Sequence, residues 1–210
     1  MTLDIWLAFV AASAVLLIIP GPTILLVMSY ALSQGRTVAL ATVAGVALGD
    51  LIAMSTSLLG LGAVVLASAD LFMALKWIGA AYLIYLGVKL FRSAKTISLA
   101  ELTDTGVISA GSVLRNTAAV TALNPKSIVF FIAFVPQFIR PENPLFAQFA
   151  ILIVTFISLA AINSLAYALL ADRLRMRIAQ PTVLAGLSRF GGCTLIAMGI
   201  ITATFRRVSA

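Results

Sequence analysis

Six apolar stretches, at about 5–31, 38–66, 71–91, 115–139, 146–171 and 186–205, make up most of this chain. Each reaches or exceeds the roughly 20 residues a helix needs to cross the hydrocarbon of a bilayer. In lipid no water satisfies backbone N–H and C=O groups, so such stretches must be helices that close their own hydrogen bonds. The remaining residues leave no room for a soluble domain. With 62% hydrophobic and 10% charged residues and a mean hydropathy of +1.13, the 210-residue chain is expected to be an all-α integral membrane protein with six transmembrane helices. The first stretch has Asp4 and no Lys or Arg ahead of it and is too long for a secretory signal, so it reads as a retained helix.

Two of the stretches carry residues that a helix interior rejects. Pro20-Gly21-Pro22 lies in the first and Asn124-Pro125-Lys126 in the fourth. Proline has no N–H and clashes with the carbonyl four residues earlier, so both helices should break near mid-bilayer. The breaks free the carbonyls of Leu16 and Ile18 in the first stretch and of Thr121 in the fourth. Each break is followed by a hydroxyl residue, an isoleucine and aliphatic or aromatic bulk: Thr23-Ile24-Leu25-Leu26 and Ser127-Ile128-Val129-Phe130. A second alignment sets Ile78–Gly87 against Phe190–Gly199, keeping Gly79 with Gly191, Leu83 with Leu195, Ile84 with Ile196 and Gly87 with Gly199.

Both matches join the first and third helices of each half, as a three-plus-three duplication predicts. Repeat 1 then covers about 1–92, a cytoplasmic loop about 93–114, and repeat 2 about 115–210. An odd number of helices per half inverts the second half relative to the first, which lets the broken helices 1 and 4 meet near the midplane. That is an alternating-access architecture. Ser98 and Glu101 have capping-box spacing within the polar loop, which otherwise reads as a solvated linker.

The net charge of +7 does not mark a nucleic-acid binder, because the basic residues sit in short loops between apolar spans. Arg36, Lys89, Arg92, Lys95, Arg115, Arg173, Arg175, Arg177 and Arg189 fall on one side; Lys76, Arg140, Arg206 and Arg207 fall on the other. The first side should be cytoplasmic, which puts both termini outside. Cys193 is the single cysteine and there is no histidine. The chain therefore lacks a thiol pair for disulfide chemistry and the several Cys or His ligands that soft metals prefer. No cofactor or metal site is expected, and an enzyme of the membrane thiol-oxidoreductase kind is excluded on the same ground.

Beyond each break a new half-helix begins, and its first amides carry the positive end of a helix dipole. Freed carbonyls beside helix N-termini suit a small zwitterion, with its ammonium on the carbonyls and its carboxylate on the amides. Pro20, Gly21, Pro22, Thr23, Asn124, Pro125 and Lys126 are therefore candidate substrate-binding residues. Lys126 adds a full charge where charge is costly, and either grips a carboxylate or pairs with Asp50. Asp50, in the middle of the second stretch after Gly45-x-x-x-Gly49, can load and release a proton as access alternates; a permanent Asp50–Lys126 pair is the structural alternative. Asn163, at the matching place in the fifth stretch, is either a neutral partner to substrate or a contact between helices. Trp6, Trp77, Tyr82 and Tyr85 read as anchors or packing, and Gly79, Gly87, Gly191 and Gly199 as positions of close helix approach.

These marks in this order resemble the LysE/RhtB family of bacterial amino-acid exporters. Pro20-Gly21-Pro22 is similar to the family's first-helix signature, Gly45-x-x-x-Gly49 to its glycine-rich second helix, and Gly79–Gly87 to its third-helix motif. Gly111, then Leu123-Asn124-Pro125-Lys126 and Phe130–Phe138, resembles the fourth-helix block almost throughout. The resemblance spans the whole chain. It implies a multi-pass protein of the bacterial inner membrane that exports an amino acid or close relative, such as homoserine, threonine, leucine, a basic amino acid or a homoserine lactone, by proton antiport. Thr23 departs from the Asn or Asp that many relatives carry there, so substrate identity does not transfer with the fold. The absence of an acidic cluster favours a neutral substrate over a dibasic one.

Two other readings remain at this point. Efflux of a cation such as cadmium occurs in a related branch, but Asp50 alone offers an anionic ligand at mid-membrane. A non-transporting membrane scaffold gives no reason to bury Lys126 and Asp50. Exposed apolar helix surface is expected for contact with lipid and does not define a dimer interface, so a homodimer stays open.

Overall fold

The computed structural model describes residues 1–34, 36–67, 69–92, 109–140, 142–171 and 181–204. They are helical, with no strand among them. Helix α1 (Leu3–Ile18) stops where Pro20 and Pro22 withdraw two backbone donors, and α2 (Pro22–Gln34) starts on Pro22, whose missing N–H is harmless in a first turn. The two axes differ by 59°. The unbroken helices α3 (Arg36–Ala67) and α4 (Ala69–Arg92) follow.

The second break is built the same way. Helix α5 (Ala110–Ala122) ends before Asn124, and α6 (Pro125–Val129) restarts with Pro125 in its first turn and the Asn124 side chain as N-cap. The helix then widens to a π turn at Phe130–Phe134 and tightens to a 3-10 turn at Val135–Phe138. Pro136 explains the change of register: it lacks a donor and crowds the carbonyl of Ile132, so the Val135 N–H bonds back to Phe130. The two parts of this element differ by 43°. Helices α7 (Leu145–Leu169) and α8 (Pro181–Thr204) complete the described chain.

The fourth element begins earlier than its apolar stretch suggested. Helix α5 starts at Ala110 rather than 115, because Ser109 accepts a hydrogen bond from the Ser112 amide at 3.3 Å and so caps a polar first turn. The expected capping pair Ser98 and Glu101 lies outside the described residues. So do the basic residues Lys95, Arg173, Arg175, Arg177, Arg206 and Arg207.

By length and composition, the segments Val38–Gly60 and Leu145–Leu169 can each cross a membrane, and so can each bent pair if counted as one span. Among the described residues of the third and sixth stretches, Trp77–Lys89 and Arg189–Thr204 are shorter apolar helices. Helix α7 shows what surrounds the bundle. Leu152, Phe156, Ala160, Ser164 and Ala168, four residues apart, face inward, while Phe146, Val154, Ile162 and Leu169 are exposed. A helix apolar on both faces is suited to lipid on the outside.

Glycine sets the helix contacts. A Cβ on Gly49 would lie 2.6 Å from the Ala118 carbonyl and 2.6 Å from the Thr121 Cβ, and one on Gly45 would lie 2.7 Å from the Leu114 carbonyl. Helix α3 can pack this closely on α5 only because both positions lack a side chain. The α4–α8 contact works alike, with Gly87 against the Gly192 carbonyl and Gly199 against that of Ala80. At one end of the bundle, six phenylalanines fill the interior: Phe9, Phe130, Phe131, Phe134, Phe138 and Phe156, with Phe9 edge-on to Phe138 and Phe131 edge-on to Phe156.

Candidate functional site

The last turn of a helix leaves four carbonyls without helical donors. In α1 the carbonyls of Leu16, Leu17, Ile18 and Ile19 all find side-chain donors, and all the donors come from beyond residue 123. The Lys126 Nζ donates to Leu16 at 2.7 Å and to Ile19 at 2.8 Å. Asn163 Nδ2 donates to Leu17 at 3.0 Å, and the Tyr167 hydroxyl donates to Ile18 at 2.7 Å. Asn163 and Tyr167 lie one turn apart on α7, so one helix face delivers both.

Asn124 ties the two breaks to each other. Its Nδ2 donates to Thr23 Oγ1 at 3.1 Å, and its Oδ1 accepts from the Lys126 amide at 3.1 Å. The Thr121 carbonyl, freed by Pro125, accepts from the Asn124 amide at 3.1 Å. The first backbone bond of α2 runs from Leu25 to Gly21 at 3.0 Å, so the amides of Thr23 and Ile24 stand ahead of the helical ladder.

A cavity of about 30 Å³ lies between the breaks, lined among others by Leu16, Ile19, Gly21, Thr23, Asp50, Asn124, Lys126 and Asn163. That exceeds the roughly 10–15 Å³ a cavity needs to hold a water. It is far smaller than the roughly 300 Å³ and upward of ordinary ligand clefts. Asp50 is 2% exposed and has neither a hydrogen bond nor an ion pair among the described residues.

The structure thus brings six of the sequence candidates together around one space: Gly21, Thr23, Asp50, Asn124, Lys126 and Asn163. Pro20, Pro22 and Pro125 are not part of the lining; they shape the breaks from outside it. Of the two expectations placed on Lys126, the pair with Asp50 is not formed in this conformation: among the described residues Lys126 makes no ion pair, and two backbone oxygens take its protons. Tyr167 escaped the sequence reading altogether, although its four-residue spacing from Asn163 was a usable signal. Thr117 and Thr121, one turn apart on α5 and facing Gly45 and Gly49, are buried with no hydrogen-bond partner for their hydroxyls.

The LysE type translocator family model matches residues 5–204. A homoserine/homoserine lactone efflux protein of Salmonella typhi is 36% identical over 206 residues, covering 98% of this chain and 99% of that protein. An uncharacterized membrane protein of Vibrio cholerae is 32% identical, covering 97% and 98%. A leucine efflux protein of Salmonella choleraesuis is 30% identical over 142 residues, covering 68% and 66%. No solved structure matches the chain.

Proposed function

This chain belongs to the LysE type translocator family, and we propose that it exports a small neutral amino acid of the homoserine, threonine or leucine kind from the cytoplasm in exchange for protons. The observation that carries the reading is a cavity where both broken helices meet, with Asp50 in its lining and without a hydrogen-bond or ion-pair partner among the described residues. Freed carbonyls on one wall and the first amides of α2 on another offer complementary ends to a zwitterion. Thr23, Asn124 and Asn163 supply neutral hydrogen bonds between them. In this reading Asp50 carries the proton, because it is the one carboxylate in the lining and makes no ion pair among the described residues.

The cavity must widen to admit an amino acid, and the two breaks are where the chain can yield. In this reading six spans form two inverted three-helix halves that rock against each other about the Asn124–Thr23 junction. The mutual packing of α4 on α8 through Gly87, Gly192 and Gly199 supports such a relation. In this reading the protein lies in a bacterial inner membrane, and the excess of basic residues on one side supports both termini being outside. The relatives' names support amino-acid export; neutral selectivity and proton exchange are inferred here from the site.

The test is amino-acid release from dipeptide-loaded cells expressing the wild type or Asp50→Asn at matched membrane levels. The wild type should speed the release of one or a few neutral amino acids, and the variant should release them at the rate of cells without the protein. Asparagine keeps the shape of a side chain that has no partner to lose, so the variant should fold. Full-rate export by Asp50→Asn under a proton gradient would sink the assignment of Asp50.

A further inference from the structure

Neutral donors already suffice to cap the middle of the α1 terminus. Asn163 serves Leu17 and Tyr167 serves Ile18 without bringing an ion into the bundle. The flanking carbonyls of Leu16 and Ile19 are instead held by an ammonium, although a charge at this depth is costly. Capping alone does not account for that choice. The ammonium sits on carbonyls that border the cavity, beside the α2 amides and in a lining that contains Asp50, which has no partner among the described residues. A primary ammonium with three donors, lying on backbone oxygens, is also what a free amino acid would present there.

We infer that the Leu16 and Ile19 carbonyls form a subsite for a primary ammonium, and that Lys126 is its tethered occupant, displaced when the amino group of the substrate arrives. The inference rests on the amino-acid export reading and adds to it the competitor and the chemical class. Lys126 and substrate exclude each other from the two oxygens, and the released lysine turns to Asp50, the carboxylate in the same lining. Gly21 borders the path: a Cβ there would stand 3.7 Å from Lys126 Cδ and 3.9 Å from Nζ. A subsite of this kind recognises the amino group alone. It therefore accepts compounds whose carboxyl is free or closed in a lactone, and rejects those whose nitrogen is quaternary and has no proton to give.

Chemical rescue tests this on the full chain purified in detergent. Lys126→Ala removes the fragment that n-propylammonium restores, and Lys126→Met keeps an apolar chain one atom shorter while removing the charge, leaving room for ammonium itself. Each variant should melt several degrees below the wild type. The matching cation should recover more than half of that loss in a saturable way, while 1-propanol and trimethylpropylammonium recover none and the wild type, whose own ammonium competes for the site, shifts far less. Recovery of folded variant only from preparations made in the amine supports the inference equally. An equal rise in the wild type, equal action by the quaternary amine, or variants that stay unfolded or unrescued in the amine would overturn it. Export by the wild type in dipeptide-loaded cells is scored separately. Rescue without export would remove the transport reading and leave the ammonium subsite standing, and export without rescue would do the reverse.

Discussion

A lysine ammonium has three protons to give, and two of those on Lys126 go to oxygens that carry no side-chain identity. That is why the sequence could point to the residue but not to its target. Pro20, Pro22 and Pro125 announce the breaks from composition alone, whereas a backbone carbonyl looks the same at every position. Tyr167 was obscured for the same reason, since its acceptor is the carbonyl of Ile18. Tyr167→Phe removes one neutral donor from this crown and should cost about 1 kcal/mol, read as a small fall in melting temperature in detergent. Loss of export without a fall in stability would show that the hydroxyl acts on substrate rather than as a cap.

At the scale of the helices, glycine decides which pairs touch. Gly45 and Gly49 were readable as a small-residue pattern, but their partner was not, because the pattern permits any close neighbour; the structure assigns them to α5. Gly49→Ala drives a methyl into the Ala118 carbonyl and the Thr121 Cβ, both 2.6 Å away, and should cost roughly 1–3 kcal/mol as α3 and α5 separate. Gly60→Ala meets nothing within 4 Å and should instead gain up to about 1 kcal/mol from helix propensity. Thermal melting of the two variants in detergent should therefore move in opposite directions. The start of α5 shows the limit of reading spans from hydropathy. Its first turn is polar and helical at once, held by the Ser109 cap, and apolar content registers only the part that follows.

For the molecule as a whole, both breaks were legible from their prolines and their meeting from the apparent duplication, but the contact that joins them was not. That contact is the Asn124–Thr23 bond between positions 101 residues apart. Thr23→Val keeps the shape of the side chain but removes the acceptor for Asn124, so it should lower the melting temperature in detergent and slow export together. Export at the wild-type rate from Thr23→Val would place the moving parts elsewhere. The crown on α1 also gives the protein a history. Its donors lie 107 to 149 positions downstream of the carbonyls they serve. At a synthesis rate of about 5–20 residues per second, Tyr167 leaves the ribosome on the order of ten seconds after Ile18. Through that interval the first helix waits in the membrane with an unfinished end, dependent on water or on the insertion machinery. The end of the first helix is therefore completed by residues that are made long after it rather than by its own neighbours.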